Sequence, residues 1–189
     1  MLALPMDLRH PADPVEEAML YHRTDRFGFV PLLTRTHDVQ VDGHPMPVRP
    51  QRAYKLCELP EALRFRVSTN DDVWISQNEF FMPNRRLVNL KRITVCFADL
   101  DYYKFNPSWS STESVASRIL AHCDDAGIPR PSLMIDSGRG LQIKWLLDPL
   151  PAAALPRWNA VQKAIGAAFE TFGSDPRAQD ASRVLRGIM

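Results

Sequence analysis

The chain has 189 residues, 45% of them hydrophobic and 24% charged, which excludes a wholly disordered, collagenous or fibrous protein and fits one large domain or two small modules. Twenty-three Lys and Arg against 22 Asp and Glu leave a net charge of +1, too little for a surface that grips nucleic acid all over, though a local groove stays open. No run reaches the roughly 20 apolar residues of a membrane helix, and the opening MLALPMDLRHP lacks a signal-peptide cleavage site, so the expectation is a cytoplasmic protein with no membrane partner.

In chain order, Asp13-Pro14 followed by Val15, Met19 and Leu20 predicts a short helix with Pro14 in its first turn. Between Pro31 and Pro60, the prolines at 45, 47 and 50 exclude a long regular element. Alternation in residues 63–67 (LRFRV) and 73–76 (VWIS) predicts two strands around a turn at Asn70-Asp71-Asp72. Residues 49–92 carry nine Lys or Arg against five acids, a modest surplus that reads equally well as a solvated charged face. Cys57, Cys96 and Cys123 show no paired spacing and read as reduced core residues.

The second half is clearer. Residues 93–100 (ITVCFADL) form a continuous apolar run of strand length that ends in acids. Ser110 with Glu113 offers a capping box for a helix bearing Val115, Ile119, Leu120 and Cys123 on one side, stopped by Gly127 and Pro129. A short strand (PSLMI, 131–135), a turn (Ser137-Gly138-Arg139-Gly140) and a returning strand (LQIKWLL, 141–147) follow. Leu155, Trp158, Val161, Ile165, Phe169 and Phe172 recur at helical spacing up to Gly173, and residues 182–185 can form one last strand. Trp145, Trp158, Phe169 and Phe172 are assigned to the core. The sum is α+β: a β-α-β-β-α-β, ferredoxin-like unit that begins near residue 91 and follows a first half with no clear pattern.

In the usual sheet order of such a unit (fourth strand, first, third, second) the carboxyl end of the first strand meets the beginnings of the third and fourth. Asp99 and Asp101 sit at that end and share a face by the side-chain period of two. Gly140, Gln142 and Lys144 open the third strand, while Asp175 and Asp180 precede the fourth. Carboxylates gathered on one face suit Mg²⁺ or Mn²⁺ bound to a triphosphate. Arg139, Lys144, Arg183 and Arg186 supply complementary charge, and backbone N–H groups around Gly138 and Gly140 can approach a phosphate because no Cβ intervenes. Taken singly, each piece reads as readily as a turn. Tyr102 and Tyr103 either border a nucleotide sugar or pack the cleft, and none of the five histidines has metal-ligand spacing.

Three motifs, VCFADLDYYK, IDSGRGLQIKW and GSDPRAQDASRVLR, together resemble those of the archaeo-eukaryotic primase superfamily, in its branch of RepB-type plasmid and phage replication primases. The resemblance covers roughly residues 85–186. It implies a nucleotidyltransferase that makes primers on a single-stranded DNA template from nucleoside triphosphates, an RRM-like catalytic module over residues 91–189 packed on an amino-terminal α/β module over residues 1–90, and Mg²⁺ or Mn²⁺ as cofactor. Asp99, Asp101 and Asp175 would hold the metal, with Asp180 in reserve as the third acid. Ser137, Gly138, Arg139, Gly140, Gln142, Lys144, Asp180, Arg183 and Arg186 would bind nucleotide or template. Gln142 stands where many members have histidine, and it can donate a hydrogen bond to phosphate but carries no charge. Relatives often continue past the position of Met189, which implies a carboxy-terminal domain or a replicative helicase as further partner.

Two other readings stay open. A catalytically inactive origin- or single-strand-binding module of the same fold would use Trp74, Phe80, Phe81, Arg85 and Arg86. A nucleotide-sugar transferase also uses D-x-D on a diphosphate, but the doubly wound pattern expected of it is absent.

Overall fold

The computed structural model describes residues 13–35, 40–41, 44–45, 51–69, 71–105, 109, 111–138 and 140–188. Among these, five α-helices, an eight-stranded sheet and a two-stranded ribbon make an α+β fold. The chain divides into two compact units, one holding residues 95–146 and 156–180, the other residues 13–94, 147–155 and 181–188.

The first unit is built on the carboxyl part of β7 (Leu90–Leu100), with β9 (Leu141–Pro151) beside it and β8 (Leu133–Asp136) beyond. Ile93, Val95, Phe97 and Leu100 are fully buried, which is why the strand reads as an unbroken apolar run. After the short α3 (Tyr102–Phe105) comes α4 (Thr112–Ala126), which buries Val115, Ile119 and Cys123 at intervals of four. Its cap is Ser111, whose Oγ accepts from Ser114 N at 3.2 Å; Ser110, the expected cap, lies outside the described residues. Gly127 closes the helix at φ +65°, a left-handed conformation that suits glycine. α5 (Leu155–Ala168) buries Trp158, Gln162 and Gly166. Trp145, Trp158, Phe169 and Phe172 are all buried, as expected of core residues.

The element order is β-α-β-β-α-β, but the last strand does not pair beside β7. The backbone accounting along that edge explains how the fold does without it. Trp158 Nε1 donates to the Val95 carbonyl (3.0 Å). Gln162 clamps the Phe97 peptide, accepting from its N–H at 3.2 Å and donating to its carbonyl. Farther along, Asp175 N donates to Asp99 O and Asp101 N to Gly173 O, both at 2.9 Å. Two side chains of α5 and one short loop thus satisfy the groups a fourth strand would have engaged. That strand, β10 (Val184–Arg186), pairs antiparallel with β5 (Asp72–Ser76) in the second unit instead, Leu185 opposite Ile75.

The second unit contains α1 (Pro14–Tyr21), capped by Asp13, and β1 (Phe29–Arg35), flanked by β5 and by β4 (Gln51–Lys55). β2 (Gln40–Val41) and β3 (His44–Pro45) form the ribbon, and β6 (Glu79–Phe80) pairs with β1 and with the first residues of β7. Residues 63–67, expected as a strand, belong to helix α2 (Leu59–Ser68). Leu59 and Leu63 bury at i, i+4 while Phe65 and Val67 stay exposed, and Pro60 is tolerated in the first turn rather than breaking the element. The strand expected at 73–76 is β5. Val15, Ala18, Val30, Leu32, Leu56, Leu59, Leu63, Val73 and Ile75 form the core here.

All three cysteines are free. Cys96 and Cys123 are core residues whose thiols burial pushes up to about 11, whereas Cys57 is exposed in the single turn that precedes α2, contrary to its expected place in the core. Among the described residues no helix is long and apolar enough to cross a membrane.

Candidate active site

The carboxyl end of β7 is where the expected site residues gather. Leu100 forms an antiparallel bridge with Ser174, so Asp99 faces Asp175 and Asp101 faces Gly173 across a two-bond ladder. By strand alternation Asp99, Asp101 and Asp175 therefore share one face. Asp175 also accepts from Arg177 N at 2.8 Å, an Asx turn that fixes the loop after Pro176. Asp180 is exposed, five residues beyond Asp175.

Hard oxygen donors on a common face match Mg²⁺ or Mn²⁺ in ligand type. Among the described residues no three His, Cys, Asp or Glu side chains stand close enough to hold an ion. The Asp101 carboxylate is paired with Lys104, whose ammonium it holds above its ordinary range through that hydrogen bond. Lys104 is 54% exposed and Asp101 32%, so the pair is screened by water and easily given up.

Beside this edge, β8 and β9 form a hairpin with Ile135 opposite Gln142 and Leu133 opposite Lys144. Its turn is held from within: Ser137 donates to the Gly140 carbonyl from its N–H (3.0 Å) and its hydroxyl (3.1 Å). Gly138 adopts φ +79°, and the N–H expected to reach a phosphate is donated to Asp136 Oδ1 at 2.7 Å. Gly140 is required for a different reason. A Cβ there would collide with the Leu100 carbonyl oxygen, so glycine lets the start of β9 press against the end of β7. Arg139 lies outside the described residues.

Gln142 is 2% exposed with no hydrogen-bond partner for its Oε1, and Lys144 is completely buried. A buried amide oxygen without a hydrogen-bond partner is costly to fold. Arg183 and Arg186 belong to the second unit. Arg186 bonds to Asp72 there (2.5 Å), and the Arg183 carbonyl accepts from Gln77 N (3.0 Å).

Asp136 and Thr112 were not singled out from sequence. Thr112 donates to Asp136 Oδ2 at 2.7 Å, so one carboxylate ties the hairpin turn to the first residue of α4. The available signal was an Asp two residues before a glycine, the pattern of an Asx turn. Both residues, with Tyr102, Tyr103 and Gly138, line an open pocket of about 540 Å³. Of the two tyrosines, Tyr102 is the packing residue, its ring 6.4 Å from Trp109 and its hydroxyl 3.5 Å from that of Thr112, while Tyr103 is exposed.

No family model matches the chain. A replication protein of Clostridium perfringens is 36% identical over 133 residues, which is 70% of this chain and 31% of that protein, so the chain spans about a third of the relative's length. The fold is similar to the AEP domain of the cyanophage S-2L primase-polymerase, with a TM-score of 0.56 at 14% identity over 91% of this chain and 79% of that one. It is also similar to the primase RepB′ (TM-score 0.52, 12% identity, 92% and 49% covered) and to the catalytic domain of RepB′ in complex with initiator DNA (0.52, 12%, 92% and 74%). Likeness at these identities carries the fold and not the activity. With β7, β8, β9, α4 and α5 in this arrangement, the chain has the fold of the archaeo-eukaryotic primase (AEP) domain.

Proposed function

We propose that the chain is the catalytic domain of a DNA-templated primase or primase-polymerase, a nucleotidyltransferase that makes primers in plasmid or phage replication. The observation that carries the reading is the ladder setting Asp175 opposite Asp99 on the face that also bears Asp101, within an AEP fold. The 36% identity to a protein described as a replication protein supports the same setting, and a RepB′ relative solved with initiator DNA supports a single-stranded DNA template as partner.

In this reading Asp99, Asp101 and Asp175 hold Mg²⁺ or Mn²⁺, with Asp101 released from Lys104 on loading and Asp180 as the alternative third acid. The bound metal supplies charge neutralisation on the triphosphate and a lowered pKa for the attacking 3′-hydroxyl. Lys144 and the Gln142 amide orient the triphosphate beside the carboxylates, with Ser137 and Arg139 at the turn. Gly138 and Gly140 shape that turn, and Arg183 and Arg186 serve template or phosphate. Residues 91–189 carry the chemistry, and residues 1–90 form the supporting module. A carboxy-terminal domain or a replicative helicase is the further partner, and the protein acts in the cytoplasm.

The test is primer synthesis on single-stranded DNA with labelled nucleoside triphosphates and Mg²⁺ or Mn²⁺. Asp99→Ala/Asp101→Ala should lose product by at least about a hundredfold, roughly 3 kcal/mol of barrier, with unchanged folding by circular dichroism. Extension at near wild-type rate by that variant refutes the metal assignment. Tight DNA binding with no incorporation by wild type under any metal favours the binding-module reading.

A further inference from the structure

The second unit exposes large apolar side chains on a segment that is tied down. The connection between β6 and β7, residues 81–89, closes on itself: Phe81 N donates to Asn89 O (2.7 Å), Asn89 N to Arg86 O (2.8 Å), and Asn84 Oδ1 accepts from both Arg86 N (3.1 Å) and Asn89 Nδ2 (2.7 Å). Even so, Phe81 is 51% exposed, Met82 52% and Val88 85%. Phe27 is 64% exposed. Lys91 Nζ lies 4.2 Å from the centre of the Phe27 ring and 5.0 Å from that of Phe81, so two exposed rings bracket one ammonium. Lys91 and Arg92 both donate to the Phe27 carbonyl, at 2.5 and 3.0 Å, which fixes the bracket.

The charge carried by the segment from Phe80 to Ala98 has one sign. No acid occurs between Glu79 and Asp99 in the chain, while Arg85, Arg86, Lys91 and Arg92 all do. Glu79 is fully buried and paired with Arg92, so it presents no negative charge at the surface. Exposed rings interleaved with fixed cations meet the two needs of a single strand, a flat apolar face for each base and positive charge for the phosphates between. An apolar protein partner would instead bury the Lys91 ammonium uncompensated.

We propose that Phe27, Phe81 and Lys91, flanked by Met82 and Val88, form a stacking platform for single-stranded nucleic acid, one that needs neither metal nor nucleoside triphosphate and so stands apart from the proposed chemistry.

The test is fluorescence anisotropy of labelled oligodeoxythymidylate with the full chain in EDTA, across a salt series. Phe27→Ala/Phe81→Ala should bind about tenfold or more weakly, and Lys91→Gln should weaken binding and flatten the salt dependence. Phe65→Ala, which truncates an equally exposed phenylalanine (58%) on α2, should bind like wild type. Thermal melting of each variant separates binding loss from misfolding, and Lys91→Gln serves if the double variant fails to fold. The assay contains neither metal nor nucleoside triphosphate, so a failed catalytic reading and a failed platform give different results. The proposal is overturned if wild type does not bind in EDTA, if the platform variants keep affinity within about twofold, or if Phe65→Ala loses as much. It is overturned equally if the platform variants only abolish self-association in sedimentation, which would assign the face to a second copy.

Discussion

The two units place charge differently. In the second, buried carboxylates meet arginines: Glu79 against Arg92, Asp72 against Arg186, Asp71 against Arg66 (3.0 Å). Burial alone would push the Glu79 carboxyl up, yet His22 and Arg92 together hold it below the ordinary range. In the first unit, Asp99, Asp101 and Asp175 share one face at a strand end, Asp101 paired with the exposed Lys104, and Lys144 is buried on the neighbouring strand. Opposite charges brought together inside a unit serve the fold, whereas carboxylates gathered on one face at a strand end suit a cation.

The contrast is broken or sharpened most strongly at Arg186. If it is structural, Arg186→Ala leaves Asp72, 4% exposed, without that partner and costs about 3 kcal/mol in urea unfolding. A purely nucleotide-binding Arg186 would leave stability unchanged. Gly140→Ala comes next, at about 2 kcal/mol with loss of primer synthesis, because the Leu100 carbonyl must shift to admit a Cβ and the two site strands separate. Gln142→Leu should go the other way. Removing an unsatisfied buried amide raises stability by up to about 1 kcal/mol while nucleotide affinity falls, and a variant that gains neither stability nor a binding defect would remove Gln142 from the site. The smallest effect concerns pH. A carboxyl depressed in the folded state stabilises above its unfolded value, 4.5, and that contribution fades as pH falls below it through the folded value. Glu79→Gln should therefore flatten the acid limb of a melting-temperature profile below pH 4.5 and leave the neutral plateau lower.

Much of the first unit was legible because its signals are local and agree with one another: an apolar run for β7, glycine stops, helical spacing in α4 and α5. Gly140 was legible as a special position, though for access to phosphate rather than for the close approach to Leu100 that the structure reveals. Asp175 reaches Asp99 by another route than a neighbouring fourth strand. Side-chain clamps from Trp158 and Gln162 replace that strand, and no local pattern announces that a helix will satisfy a strand's backbone. The second unit was harder. Residues 63–67 alternate as a strand does, and only Leu59, outside that window, reveals the spacing of four that makes α2. The union of β10 with β5 joins residues more than a hundred apart, which no window detects.

The claim that Asp99, Asp101 and Asp175 act as one cation site is tested most directly by Mn²⁺ titration, followed by electron paramagnetic resonance, on wild type, Asp175→Asn and Asp180→Asn. The account predicts that wild type and Asp180→Asn bind the ion alike, while Asp175→Asn binds at least about tenfold more weakly. Equal binding by all three, or loss confined to Asp180→Asn, would contradict it.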